Sequence, residues 1–420
     1  MTAITAPPAT TADAFVPERP AHRDGNVLRW LSAYAASMVG DNVYYLALSW
    51  AAVRAGSPAQ AGVVMAVSAL PRALLMLGGG VIADRFGPRR VVIGSDAVRC
   101  VAVLAVAALL WRADPGLWPL TVLALVFGTV DAVFTPAVGA LPARVTSHGQ
   151  LTRVQGMRGL AIRFASVVGA PLGGLGVALG GAAAAFGIAG LLIAVSVPLL
   201  ISVRTRELPP EDASGGATTA WQDLVAGLRY IRGHRVLAPL MLAIAFGDLG
   251  FVGPLNVGLT LLADERGWGA SGMGWVLAGF GTGAGLASLL LAVRGRLPRA
   301  GRLAAYTIFA GSAAIGALAY APNLAAAVGV ALLVGLLAGL SGALCGALLQ
   351  TQAEPARLGR VTAVSSLVSL GFAPLSMPLS AAAIGAWGTG PVFVVSAAVC
   401  GLGGVVALAA PGLRRAELPH

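Results

Sequence analysis

Apolar residues run along this chain in long blocks separated by short polar breaks. A helix rises 1.5 Å per residue, so roughly 20 apolar residues cross the ~30 Å hydrocarbon core of a bilayer. Twelve blocks reach about that length, at 28–53, 60–82, 90–111, 117–140, 157–180, 183–203, 237–262, 271–293, 302–321, 323–349, 360–385 and 390–411. Each predicts a membrane-spanning helix. The one long polar interruption, 204–235, reads RTRELPPEDASGGATTAWQDLVAGLRYIRGHR. Proline, glycine, serine and charge open it, and WQDLVAGLRYIR then has the spacing of an amphipathic surface helix. It divides the blocks six and six. The predicted fold class is therefore an all-α membrane protein, twelve transmembrane helices in two pseudo-symmetric six-helix bundles, 28–203 and 236–411. Residues 1–27, rich in Ala, Thr and Pro without an apolar core, read as a disordered tail rather than a signal peptide. Residues 412–420 form a second tail.

Charge adds orientation. Connections after even-numbered blocks hold most of the arginines, among them Arg85, Arg89, Arg90, Arg144, Arg204, Arg206 and Arg235. Connections after odd-numbered blocks hold Arg54, Arg112 and Arg266. Positive charge stays on the cytoplasmic side, which places both termini and 204–235 there. The chain of 420 residues is 57% hydrophobic and 11% charged, against about 25% charged for a soluble domain. Its net charge of +11 comes entirely from arginine, and the arginines fall between apolar blocks. They read as topology signals, with no nucleic-acid partner implied.

Composition also excludes chemistries. Cys100, Cys345 and Cys400 lie in apolar blocks without a CxxC spacing and read as packing residues, so no disulfide framework or metal site is expected. His22, His148, His234 and His420 lie in tails or polar loops. GFGTGAG at 279–285 sits inside a block with no preceding strand, and a Walker A loop needs a lysine this chain lacks. No cofactor and no catalytic residues are expected. A permease subunit of an ATP-driven complex, or a membrane-embedded enzyme, remain as alternative classes.

The two halves repeat weakly. VGDN at 39–42 matches FGDL at 246–249, LPARV at 141–145 matches EPARL at 354–358, and GAPLGG at 169–174 matches FAPLSM at 372–377. Three matches in corresponding order suggest a duplication, as in transporters built from two related bundles.

Between the second and third blocks stands GGGVIADRFGPRR, 78–90. Gly80, Asp84, Arg85, Gly87, Arg89 and Arg90 there resemble the signature loop of the major facilitator superfamily. The resemblance covers 28–411 and implies a secondary transporter in the inner membrane, a monomer acting on a small molecule. It implies that this loop clips the two bundles together on the cytoplasmic side in the outward-open state; a plain topology signal is the other reading. Residues 68–99, WQDLVAGLRYIRGHRVL and QTQAEPARLGRV are similar to the enterobactin-exporter and macrolide-efflux branch. That branch implies export of a drug, macrolide-like metabolite or siderophore, with protons as the coupled partner. It also pairs an acid of the first helix with an Asp and Arg of the third, here Asp96 and Arg99. These two read either as a structural clip, an i,i+3 pair near the interface, or as a substrate contact. In the fifth block Gly169, Pro171, Gly173 and Gly174 resemble a drug-antiporter motif with its first glycine displaced, and they equally fit small-residue helix packing. The fourth block lacks the arginine of many drug/proton antiporters.

Ionisable residues inside spans are costly and by default functional. They are Asp41, Arg72, Asp131, Arg163 and Asp248. Asp41 shares a helix face with Tyr34, Ser37 and Tyr45, which makes a polar stripe suited to a water-filled cavity. Asp248 is its counterpart in the second half, with Phe251 and Asn256 nearby. The expectation is that Asp41 exchanges the coupled proton, Asp248 is its pseudo-symmetric partner and Asp131 is the next candidate, with Arg72 paired to Asp131. A buried Asp held by hydrogen bonds for structure alone is the competing reading.

Overall fold

The computed structural model describes residues 21–113, 115–146, 150–206, 220–294, 299–354 and 357–417. Helices dominate them. α1 (Gly25–Ala55) starts where Asp24 accepts a hydrogen bond from the Asn26 amide at 2.8 Å. α2 (Pro58–Phe86) starts with a reciprocal capping box between Ser57 and Gln60. The turn into α3 (Pro88–Arg112) is made by Gly87 at φ +83°, a conformation that favours glycine, followed by Pro88 at the first helical position. α4 is Trp118–Val145 and α5 is Leu151–Ser202. The second half comprises the surface helix α6 (Ala220–Gly233), α7 (Leu237–Gly253), a π-helical turn Pro254–Gly258 and α8 (Leu259–Glu265). It continues through α9 (Gly269–Arg294), α10 (Ala300–Leu318), α11 (Leu324–Gln352), α12 (Leu358–Trp387), α13 (Thr389–Ala409) and α14 (Pro411–Arg414).

Ten helical stretches among the described residues are long and apolar enough to cross a membrane, with α7, the π-turn and α8 acting as one. The 52-residue α5 supplies two spans, because Gly180 and Gly181 leave helical geometry. Gly176 there packs against Ala185 and Ile188, so its two arms fold back on one another. α1, less apolar because it carries Asp41, Asn42, Tyr44 and Tyr45, supplies the last of the twelve. The ordered bundle begins before residue 28 and ends beyond 411. Ala21 and Val27 are buried, and near the other terminus Leu413 and Ala416 are buried, with the Ala416 carbonyl accepting from Gly301 at 3.1 Å. Residues 1–20 of the expected N-terminal tail and 207–219 of the linker lie outside the described residues.

Small residues set the helix spacing. A Cβ on Gly40 would lie 2.8 Å from the Ile193 side chain, one on Gly169 2.6 Å from Asn42, and one on Gly173 3.2 Å from the Val43 backbone. These glycines seat α1 in the fold of α5. The halves meet along two seams. In one, Gly62 of α2 packs against Pro378 and Ala381 of α12. In the other, Gly174 of α5 packs against Ala270 and Ser271 of α9, and Gly274 of α9 against Ala170 and Pro171. Across the same face Ser49 donates to the Asn256 carbonyl at 3.1 Å and shares a hydrogen bond with Thr260 at 2.6 Å. Arg54 pairs with Asp264 at 3.3 Å. All these contacts lie toward the face opposite the chain termini. Farther toward the termini, a Cβ on Gly156, Gly159 or Gly285 would meet nothing within 4 Å. Among the described residues, the contacts between the halves named here gather on the face opposite the chain termini.

Candidate functional site

Three spans of the first half meet at the Arg99 side chain, which is fully buried. Its Nη1 donates to both carboxylate oxygens of Asp41, at 3.1 and 2.9 Å, and to Asp131 at 3.2 Å. Its Nη2 donates to Asp96 and, at 3.4 Å, to the Ser37 hydroxyl. The guanidinium carbon lies 3.9 Å from the centre of the Phe134 ring, within cation–π range. Local structure explains the convergence. Asp96 and Arg99 stand three residues apart on α3, Ser37 and Asp41 four apart on α1, so each pair shares a helix face.

The three carboxylates differ in what else they touch. Asp96 accepts from Ser37 at 3.1 Å and from Ser196 in the second arm of α5, and it is fully buried. It is an enclosed anchor. The expected i,i+3 pair of Asp96 and Arg99 forms, fully buried, and the arginine's remaining donors reach two further acids. Asp41 and Asp131 instead line a cavity of about 280 Å³, with Tyr34, Asn42, Arg72 and Arg158. Tyr45 donates its hydroxyl to Asp131 at 2.9 Å. Arg72 lies 4.0 Å from the same carboxyl, a third exposed, so the expected pairing is present at the outer limit of an ion pair. Three carboxylates therefore share one fully buried guanidinium, with Arg72 at Asp131 and Arg158 on the same cavity wall.

Asp248 is not brought to this cluster. It lines a separate cavity inside the second half. Asn256 sits in the π-helical turn, a feature frequent at functional sites. Its side chain donates to the Val252 carbonyl at 2.8 Å, and its carbonyl receives Ser49. It lines two central cavities, both shared with Tyr45. Among the signature-loop residues, Arg89 donates to the carbonyls of Leu200, at 3.4 Å, and Ile201. It caps the end of α5 within its own half, where a cation meets the negative end of the helix dipole. Arg85 and Arg90 are exposed; the Asp84 side chain and the surroundings of Gly80 lie outside the described residues. Of the fifth-block motif, Gly169 and Gly173 touch α1 and Gly174 touches α9, while Pro171 meets Gly274. The motif thus packs α5 between the two halves. Sequence reasoning missed Ser196, Phe134 and Arg158, whose guanidinium stands 5.3 Å from the Tyr34 ring. Arg158 stood at the edge of its apolar block, and α5 begins earlier, at Leu151.

The sequence profile of the Major Facilitator Superfamily matches residues 30–269. The chain belongs to this superfamily. Among relatives of this Major Facilitator Superfamily transporter, the multidrug efflux pump Tap of Mycobacterium tuberculosis is 26% identical over 399 residues, covering 92% of this chain and 94% of Tap. The enterobactin exporter EntS of Escherichia coli is 24% identical over 330 residues, 78% of this chain and 76% of EntS. The fold matches a crystal structure of the peptide transporter PepTSo with a TM-score of 0.71 at 14% identity, over 94% of this chain and 98% of that one. It also matches the nucleoside transporter NupG with a TM-score of 0.66 at 13% identity, over 94% and 100%.

Proposed function

We propose that this transporter exports a small amphipathic compound in exchange for protons, and that Asp41 and Asp131 are where the proton acts. The observation that carries the reading is the sharing of Arg99. One buried guanidinium serves two cavity-facing carboxylates besides the enclosed Asp96. Unbalanced charge inside a membrane is costly. With all three acids ionised Arg99 alone does not balance them, and Arg72 and Arg158 on the cavity wall supply the remaining positive charge; a proton on a cavity-facing acid, or a cationic substrate, shifts that balance. Protonation of Asp41 removes its claim on Nη1 and leaves the guanidinium to Asp96 and Asp131. Because the four groups sit on α1, α3 and α4, that transfer changes how these helices are held together. A two-state bundle responds to such a difference by shifting its population. The names of the relatives, a multidrug efflux pump and an enterobactin exporter, support the outward direction and the substrate range.

Direction follows from orientation. With the arginine-rich ends in the cytoplasm, the face on which the halves meet is the outer one, and substrate loads from the inner side. Two of the arginines that break the charge bias have structural partners: Arg54 pairs with Asp264, and Arg266 donates to the carbonyls of Ala319 and Ala321 at the end of α10. The protein is then an inner-membrane monomer with its tails and the 204–235 linker inside the cell. A cysteine at Ser214 should resist membrane-impermeant thiol reagents in intact cells, and Trp387→Cys, 69% exposed at the opposite face, should react. The opposite labelling pattern refutes the orientation.

The function itself is tested with the purified chain in proteoliposomes loaded with dyes, macrolides and siderophores in turn. An imposed pH gradient should drive at least one compound against its own gradient, and an ionophore that collapses the pH difference should stop it. Movement insensitive to the pH difference removes protons from the mechanism.

A further inference from the structure

The second half holds a cavity of about 200 Å³ lined by α7, α10, α11 and α13. These are the seventh, ninth, tenth and twelfth spans, the counterparts of the first, third, fourth and sixth. The latter four supply Asp41, Asp96 with Arg99, Asp131 and Ser196. The cavity therefore occupies, in the second half, the place that the Arg99 cluster fills in the first. The repeat VGDN/FGDL matches Asp41 to Asp248, and Asp248 lines the cavity. On the helices that should match the rest, the lining residues carry no charge, and several are small: Gly311 on α10, Ser341 and Gly342 on α11, Cys400 on α13. The acid is kept and its guanidinium is replaced by space.

The carboxylate shows the consequence. Its Oδ2 is buried without a hydrogen-bond partner, and Asp248 joins no ion pair among the described residues. The hydroxyl of Ser369 interacts with this carboxyl but does not neutralise it. The wall around it is apolar, including Ile244, Ile308 and Phe251. An acid so placed is costly unless a positive charge joins it. Phe251, one helical turn beyond Asp248, supplies an aromatic ring to the wall, as Phe134 does beside Arg99. At ~30 Å³ for each water-sized group, the space holds an amine or guanidine head with a few carbons.

We propose that this cavity binds the ammonium or guanidinium head of an amphipathic organic cation, the ligand's charge standing over Asp248 as Arg99 stands over Asp41. Its role as a substrate site rests on the export reading above and narrows that reading to cations. The binding itself requires no gradient, so the two are tested apart. Cys345 and Cys400 line the cavity and are free, and they serve as reporters in the full-length Cys100→Ala protein in detergent. Their modification by 2-aminoethyl methanethiosulfonate, a small cation, is compared with that by the anionic 2-sulfonatoethyl reagent, each corrected for its rate with a free thiol. The cation should react at least about tenfold faster, equivalent to about 1.4 kcal/mol. Phenylguanidine should slow it and neutral phenylurea should not. Asp248→Asn should abolish both the preference and the protection, and Glu354→Gln, at an exposed acid paired with Arg357, should leave both. Gly311→Arg, which supplies the missing cation from α10, should also abolish protection. Equal rates for the two reagents, protection by phenylurea, protection that survives Asp248→Asn, or cysteines that react only after denaturation each overturn the proposal. None of these outcomes bears on proton coupling, and failure of pH-driven efflux in liposomes leaves the binding result standing.

Discussion

Asp41→Asn abolishes efflux driven by an imposed pH gradient while the protein still inserts, folds and binds substrate. The asparagine keeps the shape of the side chain and a carbonyl oxygen that can accept from Arg99, but it cannot take up or release a proton at physiological pH. Arg99 keeps Asp96 and Asp131 as counter-charges, so no buried cation is stranded. What is lost is the strength of a charge-assisted hydrogen bond, about 1.5–3 kcal/mol, a tolerable loss of stability. In proteoliposomes, uphill efflux should fall to the leak rate of empty vesicles, while exchange of labelled for unlabelled substrate without a gradient should persist. Asp131→Asn should weaken coupling less, because Tyr45 and Arg72 remain near that position to order it. Wild-type uphill transport by Asp41→Asn takes this residue out of the mechanism.

Arg99→Met does the opposite kind of damage. It removes the cation common to three carboxylates: Asp96 keeps Ser37 and Ser196, Asp131 keeps Tyr45 and Arg72, and Asp41 loses both hydrogen bonds it accepts from Nη1. Breaking a buried ion pair from one side costs about 3–5 kcal/mol because the remaining charge stays buried. That is a large part of the stability of most folded proteins. The variant should be recovered in much lower yield and melt well below the parent in detergent, as read by fluorescence size-exclusion chromatography after heating. Asp41→Asn added to Arg99→Met should recover part of the loss, since one stranded acid is removed. Arg99→Lys should fold better than Arg99→Met yet transport poorly, because a point-like ammonium cannot span three carboxylates as a planar fork does. A melting temperature unchanged by Arg99→Met would mean that the cluster does not hold α1, α3 and α4 together.

The span pattern, the six-plus-six division and the loop carrying Gly87 were legible in the sequence. Each rests on interactions local to a segment: apolar length against bilayer thickness, arginine at segment ends, a glycine where the chain must turn at positive φ. The candidates for chemistry were legible as a list, because charge inside a span is rare whatever it touches. Asp41, Asp131 and Asp248 all stood on it. Their surroundings were not. Only the packed bundle shows that Arg99 reaches past Asp96 to Asp41 and Asp131 and that Asp96 is closed off by Ser37 and Ser196. It alone shows that Asp248, the repeat partner of Asp41, faces a cavity where a guanidinium stands in the other half. Helical periodicity places a side chain on a face but does not say which helix that face meets. The rotation and spacing of the spans come from contacts such as Gly40 on Ile193 and Gly174 on Ala270, made between residues far apart in the chain. An acid's partner is therefore a property of the bundle and not of the span that carries it.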